Sequence, residues 1–134
     1  MKLLMAHKGK IVVVDDSELC RDLVRHALES QGYQVTCLDS PFGLSRTVNR
    51  ERPDLVLIDV SMPGLQGDKL VQVMLSHRLH RCPLVLHSDK PEDELKELVR
   101  SSGASGFIQK KTDGAALAQA VAAFLGRPDQ ASRS

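Results

Sequence analysis

Aromatic residues are scarce in this chain of 134 residues, which contains no Trp, one Tyr and three Phe. Proteins that hold single-stranded nucleic acid stack the bases on aromatic side chains, so this mode of binding is not expected. The formal net charge is only +1, and it provides no long-range field that would attract nucleic acid or an anionic membrane. The composition therefore predicts a protein that does not bind nucleic acid directly.

Long apolar runs and paired cysteines are also missing. No run approaches the roughly 18 apolar residues of a membrane-spanning helix, and the start, MKLLMAHKGK, has too short an apolar core for a signal peptide. Cys20, Cys37 and Cys82 form no CxxC pair and leave an odd count, which indicates reduced thiols. No histidine stands at a convincing metal-ligand spacing to another. We therefore expect a cytoplasmic protein without membrane insertion.

Short apolar runs alternate with amphipathic stretches along the chain. Strands are predicted over 11–14, 33–38, 54–58, 83–87 and 106–109. Helices are predicted from Ser17 to Gly32, over 41–51, over 67–77, from Pro91 to 102, and over 113–125. Apolar strands separated by helices predict a parallel sheet covered on both faces, which is a doubly wound α/β sandwich of three layers. We expect one domain over 9–125, an N-terminal extension over 1–8 and a flexible polar tail over 126–134.

The spacing of apolar residues also predicts which helix faces are buried. The inward face of the first helix is predicted to carry Leu19, Leu23, Val24, Ala27 and Leu28, and that of the third helix Leu70, Val71, Met74 and Leu75.

Polar residues end four of the five predicted strands. They are Asp15 and Asp16 after the first strand, Asp59 after the third, His87 and Ser88 after the fourth, and Gln109, Lys110 and Lys111 after the fifth. The carboxyl ends of parallel strands meet at one edge of the sheet, where ligands bind. Asp59 ends an apolar run just before a Met-Pro-Gly turn, so we interpret its carboxylate as presented at this edge rather than buried.

Three carboxylates at one edge repel each other unless a cation lies among them. Oxygen ligands suit Mg²⁺, which binds one or two carboxylates together with substrate phosphate. A carboxylate beside Mg²⁺ can attack phosphorus and form an acyl phosphate, and the amine of Lys110 and the hydroxyl of Ser88 can stabilise the added charge. The residues therefore predict a Mg²⁺-dependent site that receives a phosphoryl group.

Four segments together resemble the response-regulator receiver domains of two-component signalling, in particular single-domain regulators of the chemotaxis type. The segments are VVVDDSE, LVLIDVSMPGLQG, PLVLHS and GASGFIQKK. Each is weakly specific by itself, but four in this order and at these spacings are highly specific. The resemblance implies a flavodoxin-like sandwich with strand order 2-1-3-4-5.

The resemblance also implies a role for each matching residue. Asp59 would be the phosphoacceptor, and Asp15, Asp16, Asp59 and the backbone carbonyl of Ser61 would hold Mg²⁺. Ser88 would be the switch hydroxyl, Lys110 the phosphate-binding lysine and Phe107 the switch aromatic residue. The implied partners are a histidine kinase or phosphotransfer protein and an unknown downstream protein. The only expected chemistry is phosphorylation and dephosphorylation of the chain itself, so no enzyme acting on other substrates is expected.

Two positions depart from the family pattern. The family usually has proline after the lysine, often with a cis peptide bond, whereas this chain has Lys111. A cis bond before a residue other than proline costs about 3 kcal/mol, so we expect a trans peptide. The residue after the switch hydroxyl is usually small, whereas here Asp89 and then Lys90 follow. These two charged residues are possible modulators of phosphorylation.

Structural alternatives remain open at this stage. Asp15, Asp16, Ser88 or Asp89 could simply cap helices, Phe107 could be a core residue, and His87 is interpreted as a partly buried spacer. At the level of function, the chain could be a pseudo-receiver, meaning an interaction module with little phosphotransfer. More remotely, it could be a Mg²⁺-dependent phosphohydrolase, although the adjacent aspartates and the lack of a cap argue against that class.

Overall fold

The computed structural model describes residues 8–77 and 81–133, with side chains described as far as residue 126. In this part of the chain five strands alternate with five helices: β1 (Lys10–Val14), α1 (Glu18–Glu29), β2 (Gln34–Leu38), α2 (Leu44–Glu51), β3 (Leu55–Asp59), α3 (Gly67–His77), β4 (Leu84–Ser88), α4 (Glu92–Ser102), β5 (Gly106–Gln109) and α5 (Gly114–Arg133). The strands form one parallel sheet in the order β2-β1-β3-β4-β5. This confirms the predicted fold and strand order.

Two apolar clusters, one on each face of the sheet, hold the three layers together. Alternate residues of β1, β3 and β4 pack against α2, α3 and α4 on one face. The other residues of these strands pack against α1 and α5 on the opposite face. Nearly every residue of β1, β3 and β4 is buried, whereas β2 and β5, at the two edges, are mostly half-buried. Sheets buried on both faces read as continuous apolar runs, which is the pattern from which the strands were predicted.

The predicted inward face of α1 is wrong for two of its residues. Leu19 and Leu23 are 69% and 62% exposed, whereas Val24 and Leu28 are buried. Successive helical residues turn by roughly 100°, so Leu19 and Leu23 lie about 100° to 180° around the helix from Val24 and Leu28, outside the buried row. Leu75 of α3, also predicted inward, is 47% exposed for the same reason.

Helix boundaries differ from prediction at two places. α2 begins at Leu44 instead of 41, because Pro41 to Gly43 form the turn, where Gly43 has a φ of 92° that favours glycine. α5 continues to Arg133, past the predicted end at 125, so the predicted tail over 126–134 is helical as far as 133. The tail was predicted from its polar composition, and such local preferences are weak priors for a helix end. The mobility of this tail stays a prediction, and nearly all of the predicted extension over 1–8 lies outside the described residues.

None of the helices in the described ranges is long and apolar enough to cross a membrane.

Candidate functional site

Three carboxylates meet at the carboxyl ends of β1 and β3. Oxygen atoms of Asp15, Asp16 and Asp59 all lie within 4.8 Å of one another. Asp16 is exposed, but Asp15 and Asp59 are only 1% and 4% exposed. The interpretation of Asp59 as presented rather than buried is therefore wrong, and a buried carboxylate needs a partner.

Lys110 is that partner, for two carboxylates at once. Its ammonium Nζ lies 3.0 Å from Asp15 Oδ2 and 3.1 Å from Asp59 Oδ1. The lysine follows β5, and its backbone N–H donates to the carbonyl of Ser88 at 2.8 Å, which ties it to the end of β4. The pairing explains how the fold tolerates two buried acidic side chains, since buried charges require compensation.

Local contacts hold Asp15 in place. The N–H of Ser17 donates to Asp15 Oδ1 at 2.9 Å, and the guanidinium of Arg21 donates to the Asp15 carbonyl at 2.8 Å. Ser17 itself caps α1, the helix that was predicted to start at this residue, because its hydroxyl accepts from the N–H of Cys20. The cap of α1 is thus Ser17, which leaves both aspartates that precede it available to the site.

Three charged side chains of the site, Asp15, Asp59 and Lys110, have shifted pKa values, and the shifts differ in direction. Burial, with a smaller contribution from the Asp15 carboxylate, raises the pKa of Asp59 to about 6, although the hydrogen bond from Lys110 opposes the rise. Burial also acts to raise the pKa of Asp15, but hydrogen bonds from Cys20, Ser17 and Lys110 outweigh it and hold that pKa below its ordinary value. Burial acts to lower the pKa of Lys110, but the two carboxylates raise it overall. At neutral pH the site therefore holds a firmly charged Asp15–Lys110 pair beside a less acidic Asp59.

The donor set fits Mg²⁺. It consists of carboxylate oxygens from three side chains, the type of ligand that Mg²⁺ prefers. Among the described residues, Asp15 Oδ2 is the one buried side-chain oxygen or nitrogen that has no well-aligned hydrogen bond. Of the cationic groups in the described part of the chain, Lys110 is the one that this oxygen contacts, and three clustered carboxylates are an environment in which a further cation is stabilising.

Ser88 is buried beside this cluster but does not cap α4. Its Oγ accepts from the N–H of Lys90 at 3.0 Å, and Gln109 donates to the Lys90 carbonyl at 3.1 Å. The N-cap of α4 is Pro91, which provides no side-chain hydrogen bond. The capping interpretation of Ser88 and Asp89 is therefore wrong, and Asp89 is exposed on the same short loop.

Three further predicted residues lie at the periphery. Ser61 is exposed, and its N–H approaches Asp59 Oδ1 at 3.4 Å. Phe107 is half-buried and packs against the apolar cluster on the α2, α3 and α4 face, and Lys90 pairs with Glu94 at 3.1 Å. Within the described residues no peptide bond is cis, so the peptide before Lys111 is trans, as expected. The roles of Ser61 and Phe107 toward a ligand stay predictions.

Sequence reasoning missed two residues beside the carboxylates, Cys20 and His87. The thiol of Cys20 hydrogen-bonds Asp15, and His87 is 4% exposed, more deeply buried than predicted. Burial lowers the pKa of His87 to about 4, with help from the charge of Lys110. The available signal was the alternation of side chains along a strand, because His87 is the register partner of Asp59 and shares its face of the sheet.

A family model places this arrangement among known proteins. The model for the response regulator receiver domain matches residues 11–122. The chain belongs to that family. The match confirms the resemblance that the four sequence segments carry, and it includes every residue of the site described above.

Curated relatives and solved structures of receiver domains agree with this assignment. The chain is 31% identical over 125 residues to the transcriptional regulatory protein CseB of Streptomyces coelicolor, covering 92% of this chain and 52% of that protein. It is 30% identical over 122 residues to the CAI-1 autoinducer sensor kinase/phosphatase CqsS of Vibrio cholerae, covering 89% of this chain and 18% of that protein. The chain thus spans about half or less of these two relatives.

The chemotaxis protein CheY4 of Vibrio cholerae has the same fold as this receiver domain. Its structure superimposes with a TM-score of 0.79 at 25% identity, covering 89% of this chain and 99% of that one. Receiver domains interact with histidine kinases or phosphotransfer proteins and generally bind Mg²⁺ at an acidic pocket. The acidic cluster of Asp15, Asp16 and Asp59 is the corresponding feature of this chain.

Proposed function

We propose that this receiver domain accepts a phosphoryl group on Asp59 from a histidine kinase or phosphotransfer protein, with Mg²⁺, and signals by protein contact in the cytoplasm. The observation that carries the proposal is the position of Asp59 Oδ1, 3.1 Å from the Lys110 ammonium and within 4.8 Å of oxygens of Asp15 and Asp16. A carboxylate so placed has one cationic group, Lys110, ready for the charge that a phosphoryl group adds, and the neighbouring carboxylates can hold Mg²⁺ as a second. The chemistry is confined to the chain itself, without turnover of an external substrate.

Each residue of the site has a defined part in the transfer. An Asp59 oxygen forms a bond to phosphorus as the bond from phosphorus to the donor's leaving atom breaks, which gives an acyl phosphate. The Lys110 ammonium, which already touches Asp59, balances the added negative charge. Because Ser88 Oγ accepts from Lys90 N–H, its own hydroxyl hydrogen remains available to donate to a phosphoryl oxygen. When bound among the carboxylates, Mg²⁺ would offset the charge of the incoming phosphoryl group.

The direct test is intact-mass spectrometry after incubation with acetyl phosphate and Mg²⁺. The expected result is the addition of one phosphoryl group, which hydroxylamine removes and which peptide mapping assigns to Asp59. Addition at another residue, or no addition with and without Mg²⁺, would contradict the proposal. No addition combined with intact Mg²⁺ binding would favour the pseudo-receiver, for which the exposed carboxylate of Asp89 in the Ser88 loop is the supporting observation.

Mg²⁺ is expected to raise the melting temperature of the protein modestly. A ligand that binds only the folded state stabilises it by RT ln(1 + [L]/Kd), which is about 1.4 kcal/mol for a Kd of about 1 mM at about 10 mM Mg²⁺. Asp16→Asn should remove most of this rise and leave the metal-free protein no less stable, because it relieves repulsion among carboxylates. The measurement is thermal unfolding with EDTA and with Mg²⁺. Asp22→Asn, on the exposed side of α1, is the matched control, and an unchanged wild-type melting temperature would argue against the site.

Asp89→Ala is expected to speed up the labelling of Asp59 several-fold. Asp89 is exposed in the loop that carries Ser88, and at a distance of about 6 to 10 Å its charge repels an anionic donor by roughly 1 to 2 kcal/mol. The difference in labelling rate between variant and wild type should decrease as the salt concentration is raised, since salt screens exposed charges. The measurement is a labelling time course, with Asp93→Ala on α4 as control. Equal rates for Asp89→Ala and wild type would show that this departure from the family pattern has no effect on phosphorylation.

A further inference from the structure

A second cluster of possible metal ligands lies on the α1 side of the carboxylates. Asp15 at the end of β1, Cys20 in the first turn of α1 and His87 in β4 bring an oxygen, a sulfur and a nitrogen atom within 4.8 Å of one another. Asp15 and Cys20 are near each other in sequence, and the fold brings the distant His87 to them. Asp15 and His87 are buried and Cys20 is half-buried, so the cluster is largely shielded from bulk water.

The donor side chains of this cluster lie against one another, and Asp15 is also paired with Lys110 and with the N–H of Ser17. The Cys20 thiol donates a hydrogen bond to Asp15, which is a member of the same cluster. The imidazole of His87 belongs to a residue that is only 4% exposed, and it lines a cavity beside the cluster. Asp15 Oδ2 is buried without a well-aligned hydrogen bond. A ligand that accepts electron pairs from all three would satisfy each of them.

A cavity gives access to two of these residues. It has a volume of about 510 Å³, lies between α1 and α5, and Cys20, His87 and Lys110 are among its lining residues. An ion can therefore reach the thiol and the imidazole from solvent without opening the sheet. The cavity also leaves room for a water molecule as a further ligand.

The chemistry of the donors selects the class of metal. Nitrogen, sulfur and carboxylate oxygen together suit Zn²⁺ and related transition metals, whereas Mg²⁺ prefers oxygen alone. Three protein ligands and one open position form a common arrangement for Zn²⁺. The set of Asp15, Cys20 and His87 is therefore expected to prefer a different metal from the cluster of Asp15, Asp16 and Asp59, although both include Asp15.

We propose that Asp15, Cys20 and His87 form a binding site for Zn²⁺ or a similar divalent transition metal. On binding, the ion replaces the proton of the Cys20 thiol, and that proton passes to solvent. The thiolate and the carboxylates of Asp15 and Asp59 then balance the charge of the ion together with that of Lys110. Because a proton is released, affinity for the metal rises with pH.

The shared ligand Asp15 has a functional consequence, which rests on the function proposed above. An ion held by Cys20 and His87 also uses Asp15 as a ligand, and it places positive charge beside Lys110. Zn²⁺ is therefore expected to oppose Mg²⁺ and to slow phosphorylation of Asp59. The binding of the metal itself does not depend on this function.

Co²⁺ is a suitable probe for the site, because a thiolate ligand produces a charge-transfer absorption that oxygen ligands do not. Titration of the metal-free protein should give this absorption, saturating at one equivalent and disappearing when Zn²⁺ is added. Cys20→Ser should abolish it, whereas Cys37→Ser and Cys82→Ser should retain it. His87→Gln should weaken binding at least about tenfold, since even loss of an outer partner of a metal ligand costs 10- to 100-fold.

The outcomes separate the two proposals. No thiolate absorption in the wild type, or an absorption that survives Cys20→Ser, would overturn the metal site, and thermal unfolding of each variant confirms that it is folded. If the site stands, Zn²⁺ should slow acetyl phosphate labelling of the wild type several-fold but not that of Cys20→Ser. Equal slowing of both would overturn the coupling through Asp15. Failure of labelling in the absence of zinc would instead contradict the phosphoacceptor function and leave the Co²⁺ result intact.

Discussion

Asp59→Asn is expected to abolish phosphoryl labelling and at the same time to make the protein more stable at neutral pH. The labelling is lost because an amide is a poor nucleophile. The stability rises because Asp59 is only 4% exposed, and an amide of the same shape avoids the cost of burying a charge. A gain in stability that accompanies complete loss of function is typical of a residue kept for its chemistry.

The gain should depend on pH in a defined direction. Burial raises the pKa of Asp59 from 3.8 to about 6 in the folded state, so between these values the folded protein binds more protons than the unfolded chain. The stability contributed by the neutral carboxyl is therefore complete below about pH 4 and is lost as the pH rises through about 6. Two pKa units correspond to about 3 kcal/mol, so we expect the variant to gain about 1 to 3 kcal/mol above pH 7 and little near pH 4.

Urea unfolding of wild type and variant at both pH values measures this difference. Asp22→Asn, an exposed aspartate of α1, is the matched control and should change stability little at either pH. A variant that is less stable than wild type at pH 7 would show that the Asp59–Lys110 pair outweighs the cost of burial. Labelling of the variant at another residue would refute the assignment of Asp59 as the sole acceptor.

Gly67→Ala should destabilise the fold by about 3 kcal/mol or more, at the upper end of the cost of overpacking. A Cβ atom on Gly67 would lie 2.2 Å from the Asp59 carbonyl oxygen and 2.9 Å from Val60 Cα. Both contacts are with backbone, so the loop after β3 has to move, and with it Asp59. We expect a lower melting temperature and slower labelling in the same variant.

A matched control for Gly67→Ala lies in α5. A Cβ atom on Gly126 would meet nothing within 4 Å, and alanine favours a helix over glycine by about 1 kcal/mol. Gly126→Ala should therefore leave labelling unchanged and stability equal or higher. If Gly67→Ala melted at the wild-type temperature, the prediction would be wrong, because the backbone between β3 and α3 would then accommodate the added methyl group without loss of stability.

The fold could be predicted from sequence because its strands are continuous apolar runs that end in turn residues. Errors arose where one helix face had to be chosen. Leu19 and Leu23 follow helical spacing as well as Val24 does, but only the last contacts the sheet. Apolar periodicity defines a stripe wider than the buried one, and the packing of α1 against α5 decides which edge of the stripe is covered.

The site was predictable in its membership but not in its burial. Asp59 was expected at the surface because no local signal shows that Lys110, which follows a strand two positions away in the sheet, reaches it. The contribution of Cys20 and His87 to the site was missed for a similar reason. Cys20 lies outside the four matching segments, and His87 lies within one of them but without an implied role. Their proximity depends on the register of β3 with β4 and on how α1 begins.

The position of β5 at the edge of the sheet has a consequence for the exchange of backbone amides with solvent. β1 and β3 are central and buried, whereas β5 is half-buried and, among the strands of the described residues, has only β4 as a neighbour. Edge segments with less burial open locally at a lower free energy than the central strands do. Lys110 follows the edge strand, whereas Asp15 directly follows β1 and Asp59 is the last residue of β3. A local opening of β5 therefore withdraws the ammonium from two carboxylates that stay folded, and for the lifetime of that opening they attract either a proton or a cation from solution.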